Sequence, residues 1–205
     1  RRLAFWGTLA LMRCVGSSPA AAVSALKNRL AGMADEAALE SAILDEEEGQ
    51  LTESDVEPAT APDAEEAEAL TKLITQAEDL AGRPQDDPKL RKLVQHLKDL
   101  HGKGARPVVF CRFISTAEAV GEALRQQFKK HTVEIVTGRL TPEERRVRVE
   151  ALADHHDRIL VATDCLSEGI NLQALFNAVI HYDLNWNPTR HQHREGLVDR
   201  FGQPE

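Results

Sequence analysis

Cysteine is scarce in this chain. Among 205 residues there are three, Cys14, Cys111 and Cys165, and no two of them form a C-x-x-C pair. Two fall at the ends of predicted strands, which is typical of buried small apolar residues, and a reducing, cytoplasmic compartment is the simplest interpretation. His191 and His193 are two residues apart on a predicted helix and point to different sides, unlike an i, i+4 metal pair. We therefore predict no metal site.

The chain also lacks a phosphate-binding loop of the form G-x-x-x-x-G-K-[ST]. The nearest sequence, Gly102-Lys103-Gly104, has neither the upstream glycine nor a hydroxyl after the lysine. The acidic run at 45–48 follows only two apolar residues, too few for the buried strand that would present a metal-binding carboxylate. No G-x-G-x-x-G follows a predicted strand either, which argues against a dinucleotide-binding enzyme.

Basic residues are absent between Arg29 and Lys72, whereas residues 31–71 hold 14 of the 33 acidic residues. The stretch 34–66 is therefore predicted to be an acidic linker or insertion, open to a protein partner. An acidic helix that mimics nucleic acid is the alternative. Residues 72–205 contain 20 basic and 19 acidic residues, so their net charge of +1 predicts only a weak, sequence-independent attraction to nucleic acid.

The N-terminal apolar run imitates a signal peptide but is interrupted by Gly7 and Thr8, and it is too short to span a bilayer. We predict no membrane association. Instead, residues 1–33 are expected to form buried helices. The second helix should be capped by Ser17 or Ser18, begin at Pro19 and end at Gly32. Its predicted apolar face comprises Val23, Leu26 and Leu30.

Continuous apolar runs alternate with amphipathic segments from residue 67 onward, which predicts an α/β fold with a doubly wound parallel sheet and helices on both faces. The predicted helices are 67–81, 86 or 87 to 102, 116–128, 142–153 and 189–200, and the predicted strands are 107–113, 132–136, 158–163 and 178–182. In such sheets, ligands bind at the carboxyl ends of the strands.

Four sequence blocks carry a family resemblance. Residues 163–172 (TDCLSEGINL) and 193–203 (HREGLVDRFGQ) resemble motifs V and VI of superfamily-two helicases, and the final Phe-Gly-Gln is similar to the Swi/Snf-like branch, especially its bacterial members. Residues 108–116 are similar to motif IV, and residues 136–145 to the block that follows it. The four blocks occur in the family's order and cover about half of the chain.

The resemblance implies that residues 67–205 are the C-terminal RecA-like lobe of an ATP-dependent DNA translocase. It also implies that the helices of residues 1–33 link this lobe to a missing first lobe. The intact parent would use ATP and Mg²⁺ to close two lobes around duplex DNA, without reading its sequence, and would be a cytoplasmic, nucleoid-associated protein. This chain alone is expected to bind no cofactor tightly and to be inactive, because the phosphate-binding loop belongs to the missing N-terminal lobe. The alternative is a catalytically degenerate nucleic-acid or protein-binding module of the same fold.

Three loops at consecutive strand ends contain residues suited to phosphate. An arginine supplies a planar fork, a glycine allows close backbone approach, and a helix N-terminus offers N–H groups. The resemblance implies that these loops contact the nucleic-acid backbone through Arg112, Ser115, Gly138, Arg139, Thr163 and Asp164. Surface ion pairing or helix capping is the alternative explanation for each of these residues taken singly.

The nucleotide side of the lobe is also inferred from the resemblance. Gly169 and Asn171 would lie near the ribose or the metal-bound phosphates, and Arg200, with Arg194, would reach the γ-phosphate as a catalytic arginine. The family pattern has arginine directly after Gly196, but this chain has Leu197. Leucine cannot donate to phosphate, so the substitution predicts an impaired ATPase unless the other two arginines suffice.

Overall fold

A computed structural model describes residues 11–31, 64–166, 170, 172–184 and 188–198. They belong to two compact units, Arg1–Asp86 and Asp87–Glu205. In the first unit, residues 11–17 are helical, α1 spans Pro19–Leu30 and α2 spans Ala64–Ala81, followed by a 3-10 turn at Pro84–Asp86. Most of the predicted acidic linker, residues 34–63, lies outside the described residues. Within the described part, no helix is both long and apolar enough to cross a membrane.

Helix α1 begins as the sequence predicts. The Ser18 hydroxyl accepts a 3.1 Å hydrogen bond from the Ala21 N–H, and Pro19 occupies the first turn, where its missing N–H costs nothing. Helix α2 packs against α1 through an apolar cluster whose buried members are Ala22, Leu26, Leu70, Ile74 and Ala77. The sequence predicts that the lobe begins at residue 67 and includes α2, whereas in the structure α2 belongs to the unit that contains α1.

The second unit alternates helices and strands: α3 (Pro88–His101), β1 (Pro107–Phe110), α4 (Ile114–Gln127), β2 (Thr132–Val136), α5 (Pro142–Ala151), β3 (Arg158–Ala162), β4 (Ala178–His181) and α6 (Pro188–Gly196). The four strands are parallel, in the order β2-β3-β1-β4. The predicted α/β fold with a parallel sheet is therefore confirmed.

Side chains of the central strands alternate between two hydrophobic clusters, one on each face of the sheet. Val109 and Cys111 point to the face covered by α3 and α4, while Val108 and Phe110 point to the face covered by α5. This alternation follows from the two-residue period of a strand. Because both faces are covered, β1 and β3 are buried at every residue, which explains their continuous apolar sequence.

Three element boundaries differ from the prediction in a way that matters for the site. Strand β1 ends at Phe110, so Arg112 lies in a short loop and Ser115 in the first turn of α4. Helix α6 ends at Gly196 instead of continuing to Arg200. Glycine weakens a helix interior, and this one places Leu197 and Val198 in a turn.

Candidate nucleic-acid interface

The carboxyl ends of all four strands lie level at one edge of the sheet. In the register, Val136 pairs with Ala162, Ala162 with Phe110, and Phe110 with His181. Neighbouring strands are about 4.8 Å apart, so the loops that follow them are adjacent in space. The structure therefore brings the six residues predicted to contact nucleic acid to one edge.

The loop after β2 has an exposed arginine. The Arg139 side chain is 67% exposed, and its Nη1 donates a 2.8 Å hydrogen bond to Glu118 Oε1. A Cβ added to Gly138 would come no closer than 3.9 Å to Ile114 Cδ1, so packing within the fold does not require glycine there. An exposed ion pair of this kind is weak, and a phosphate can displace its carboxylate at little cost.

At the start of α5 two N–H groups are already occupied by side chains of the same turn. The Thr141 hydroxyl accepts from the Glu144 N–H, and the Glu144 carboxylate accepts from the Thr141 N–H at 2.8 Å, forming a complete capping box. After β3 the described residues form 3-10 turns, at Asp164–Leu166 and Leu172–Ala174. At α4 the cap residue Phe113 makes no side-chain capping hydrogen bond.

The loop after β1 is more enclosed. Arg112 is only 8% exposed, and its Cζ lies 5.4 Å from the centre of the Phe113 ring. The Arg112 N–H donates a 3.0 Å hydrogen bond to Asp183 Oδ2 at the end of β4. Ser115 is half-buried. This loop therefore presents backbone and a hydroxyl to its surroundings, with little of the arginine side chain.

The loop after β3 is held by α6. Arg194 Nε donates to Asp164 Oδ1 at 2.5 Å, and Arg194 Nη2 donates to Asp164 Oδ2 at 2.7 Å. Arg194 is 1% exposed, so this is a buried, bidentate, charge-assisted pair. Thr163 is fully buried, and its Oγ1 has no hydrogen-bond partner among the described residues. A residue predicted for nucleic acid and one predicted for catalysis thus bind each other.

The rest of the Arg194 environment is formed by β1 and β4. Its Cζ lies 5.2 Å from the Phe110 ring centre, and Nη1 is 3.5 Å from both His181 Nδ1 and the Asp183 carbonyl oxygen. Burial lowers the pKa of His181, although its hydrogen bond to Glu195 acts in the opposite direction. Arg194 consequently ties α6 to the ends of three strands, and its predicted catalytic role stays a prediction.

Most residues predicted for the nucleotide side, Gly169, Asn171 and Arg200, lie outside the described residues. Leu197 is described: it is partly buried and packs against the hydrophobic cluster under α5. The leucine that departs from the family pattern therefore contributes to packing in this chain.

Sequence analysis missed Asp183 and Lys89. Lys89 Nζ lies 2.7 Å from Asp183 Oδ1, and Asp183 is 7% exposed. Asp183 follows β4 almost directly, so the rule that polar residues at strand ends are functional candidates would have found it. Lys89, on α3, has no comparable signal in the sequence.

Comparison with known proteins agrees with the α/β fold of the second unit. The profile described as the helicase conserved C-terminal domain matches residues 88–202, more than half of the chain. The chain belongs to this family. It is thereby homologous to the second lobe of superfamily-two helicases.

Curated relatives match the same lobe. The ATP-dependent RNA helicase eIF4A of Lodderomyces elongisporus is 36% identical over 96 residues, covering 47% of this chain and 23% of that protein. The ATP-dependent RNA helicase SUB2 of Saccharomyces cerevisiae is 34% identical over 115 residues, covering 56% of this chain and 24% of that protein. The chain thus spans about a quarter of the length of these helicases.

A solved structure supports the fold of this helicase C-terminal domain. The crystal structure of the C-terminal part of the Fun30 ATPase domain superposes with a TM-score of 0.54 at 19% identity, covering 92% of this chain and 66% of that one. At this level of identity the likeness establishes the fold alone.

Proposed function

We propose that this chain is the second lobe of a Swi/Snf-like, ATP-dependent translocase of the bacterial type that moves along duplex DNA in the cytoplasm. The observation that carries the proposal is the level edge of the sheet, where the loops after β2, β3 and β1 lie side by side. Loops in this arrangement can follow a phosphate backbone without reading its sequence. The Phe-Gly-Gln sequence at 201–203 supports the Swi/Snf-like assignment.

Nucleic-acid contact would be shared unequally among these loops. The exposed Arg139 would bind phosphate directly, and Gly138 would let the backbone approach. Arg112 and Thr163 would act through the loop backbone, since their side chains are buried, and Ser115 would act through its half-buried hydroxyl. Asp164 would position the loop after β3 through Arg194.

ATP and Mg²⁺ would bind mainly to the first lobe of the parent, because the sequence has no phosphate-binding loop. Gly169, Asn171 and Arg200 would contribute from this lobe across the cleft. The chain alone should show no DNA-stimulated ATP hydrolysis, whereas the parent with both lobes should hydrolyse ATP. Turnover by the chain alone that an Arg200→Ala change abolishes would contradict this division of labour.

RNA is the second candidate substrate, favoured by the names of the curated relatives. A competition experiment separates the two: a labelled duplex DNA bound to this chain is challenged with unlabelled DNA or RNA duplex of the same sequence. We expect DNA to compete better. Stronger competition by RNA would reassign the substrate.

A catalytically degenerate binding module is supported by Leu197, which occupies the position of a family arginine. In that case the two-lobed parent would bind nucleic acid without stimulated hydrolysis.

The acidic stretch 34–66 would weaken binding by charge repulsion or hold a protein partner. Deleting it should tighten duplex binding and leave a steep salt dependence.

A further inference from the structure

The buried carboxylate of Asp183 joins three parts of the second unit that are far apart in the sequence. Oδ1 lies 2.7 Å from Lys89 Nζ at the start of α3, and Oδ2 accepts a 3.0 Å hydrogen bond from the Arg112 N–H after β1. These partners are 94 and 71 residues away along the chain. Each carboxylate oxygen therefore has its own donor on a different element.

Lys89 is itself held in place. Its ammonium lies 4.2 Å from the centre of the Tyr182 ring, directly beside Asp183, so an ion pair and a cation–π contact act on one group. The Lys89 side chain is 36% exposed, whereas that of Asp183 is 8% exposed. The carboxylate is thus shielded from water, and each of its oxygens has a charge-assisted or backbone hydrogen bond.

We infer that Asp183 is a positioning residue for the loop after β1, with Lys89 as the group that orients its carboxylate. The Arg112 N–H cannot join the sheet, because β1 has ended at Phe110, and α4 starts only at Ile114. The Asp183 carboxylate supplies the missing acceptor and sets where the backbone of residues 111–113 runs. That backbone leads into the uncapped first turn of α4, which contains Ser115.

This inference rests on the proposed function for its consequence: if the loop contacts a nucleic-acid backbone, its position determines affinity. Burial alone is not an adequate explanation for Asp183. A carboxylate at this depth costs free energy, and an apolar side chain would fill the same space more favourably unless the hydrogen bond to Arg112 is needed. The Asp183–Lys89 pair therefore serves to position the loop after β1.

The test uses this chain with Asp183→Ala and Lys89→Met, and with Lys92→Met as the matched control, since Lys92 is an exposed lysine on the same helix. Hydrogen exchange of the Arg112 amide is the first readout, and the Kd for a fluorescein-labelled duplex DNA is the second. Asp183→Ala should accelerate exchange at Arg112 about tenfold or more and weaken duplex binding several-fold. Lys89→Met should have a smaller effect in the same direction, and Lys92→Met none.

The two readouts separate the inference from the proposed function. If the unmodified chain binds neither duplex DNA nor duplex RNA, the proposed function fails while amide exchange still tests the positioning role. Unchanged exchange at Arg112 in Asp183→Ala, or equal acceleration throughout the sheet, would overturn the inference. If Asp183→Ala does not fold, Asp183→Asn replaces it: the neutral amide oxygen is a weaker acceptor for the Arg112 N–H, so exchange at Arg112 should still be faster than in the unmodified chain. Unchanged exchange at Arg112 in Asp183→Asn would also overturn the inference.

Discussion

Two arginines at the same edge of the sheet show how differently one fold can use the same side chain. Arg194 is 1% exposed and binds Asp164 through two hydrogen bonds, whereas the Arg139 side chain is 67% exposed and makes one contact with Glu118. The buried arginine fixes the arrangement of α6 and the loop after β3. Moving the exposed Arg139 side chain away from Glu118 costs little free energy, so of the two arginines it is Arg139 that a ligand can bind.

The largest expected effect is on stability. Arg194→Leu should leave the Asp164 carboxylate without its charged partner and lower the free energy of unfolding by about 3–5 kcal/mol, measured by urea denaturation. Arg139→Leu, the matched control, should change it by less than about 1 kcal/mol. Similar losses for the two variants would remove the distinction between them. Arg194→Met with Asp164→Asn should recover part of the loss, because no unpaired charge remains.

A substitution at Leu197 tests whether the nucleotide-binding side of the lobe lacks an arginine. In the two-lobed parent, Leu197→Arg should raise DNA-stimulated ATP turnover about tenfold or more, within the range of an arginine finger. Leu197 is partly buried, so we expect a small stability loss of roughly 1 kcal/mol as the longer side chain extends to water. Leu197→Met keeps the packing without the charge and should leave the rate unchanged. A collapsed melting transition with no gain in rate would show that position 197 serves only the core.

Arg139→Ala should weaken duplex binding about three- to tenfold for every sequence and reduce the slope of log K against log salt by about 1, because one phosphate contact is lost. Fluorescence anisotropy over a salt series measures both quantities. Arg146→Ala is the control, since Arg146 is exposed on α5 and pairs with Glu143 and Glu150. An unchanged slope for Arg139→Ala would mean that this loop does not contact phosphate.

The smallest effect concerns pH. Burial lowers the pKa of His181 in the folded chain, so the unfolded chain binds more protons once the pH falls below the ordinary value of 6.5. The stability that depends on neutral His181 is complete above that pH and is lost as the pH falls toward the folded-state pKa. His181→Asn should make the decline in melting temperature between pH 7 and 5 shallower. His96→Asn is the control, since His96 is exposed on α3, and an equal change in both variants would contradict the assignment.

The elements of the second unit were predictable because they are coded locally. Asp87 and Pro88 mark the start of α3, and Leu90, Leu93 and Leu97 are buried as the helical period predicts. Strand β2 matches its predicted bounds, 132–136. The end of α6 was missed because Gly196 interrupts a pattern that otherwise continues. The capping box of α5 could have been recognised from Thr141 and Glu144, which have the required spacing.

Sequence alone determined the α/β alternation, the family blocks and the set of polar residues at the strand ends, because periodicity and motif spacing are properties of neighbouring residues. Only the tertiary structure decided which of those polar residues face one another. Asp164 and Arg194 are 30 residues apart, and Asp183 and Lys89 are 94 apart. Such pairs arise when parallel strands bring distant chain segments to one edge of the sheet. Where a charged side chain is buried at that edge, it pairs with another side chain, although its residue type is suited to phosphate.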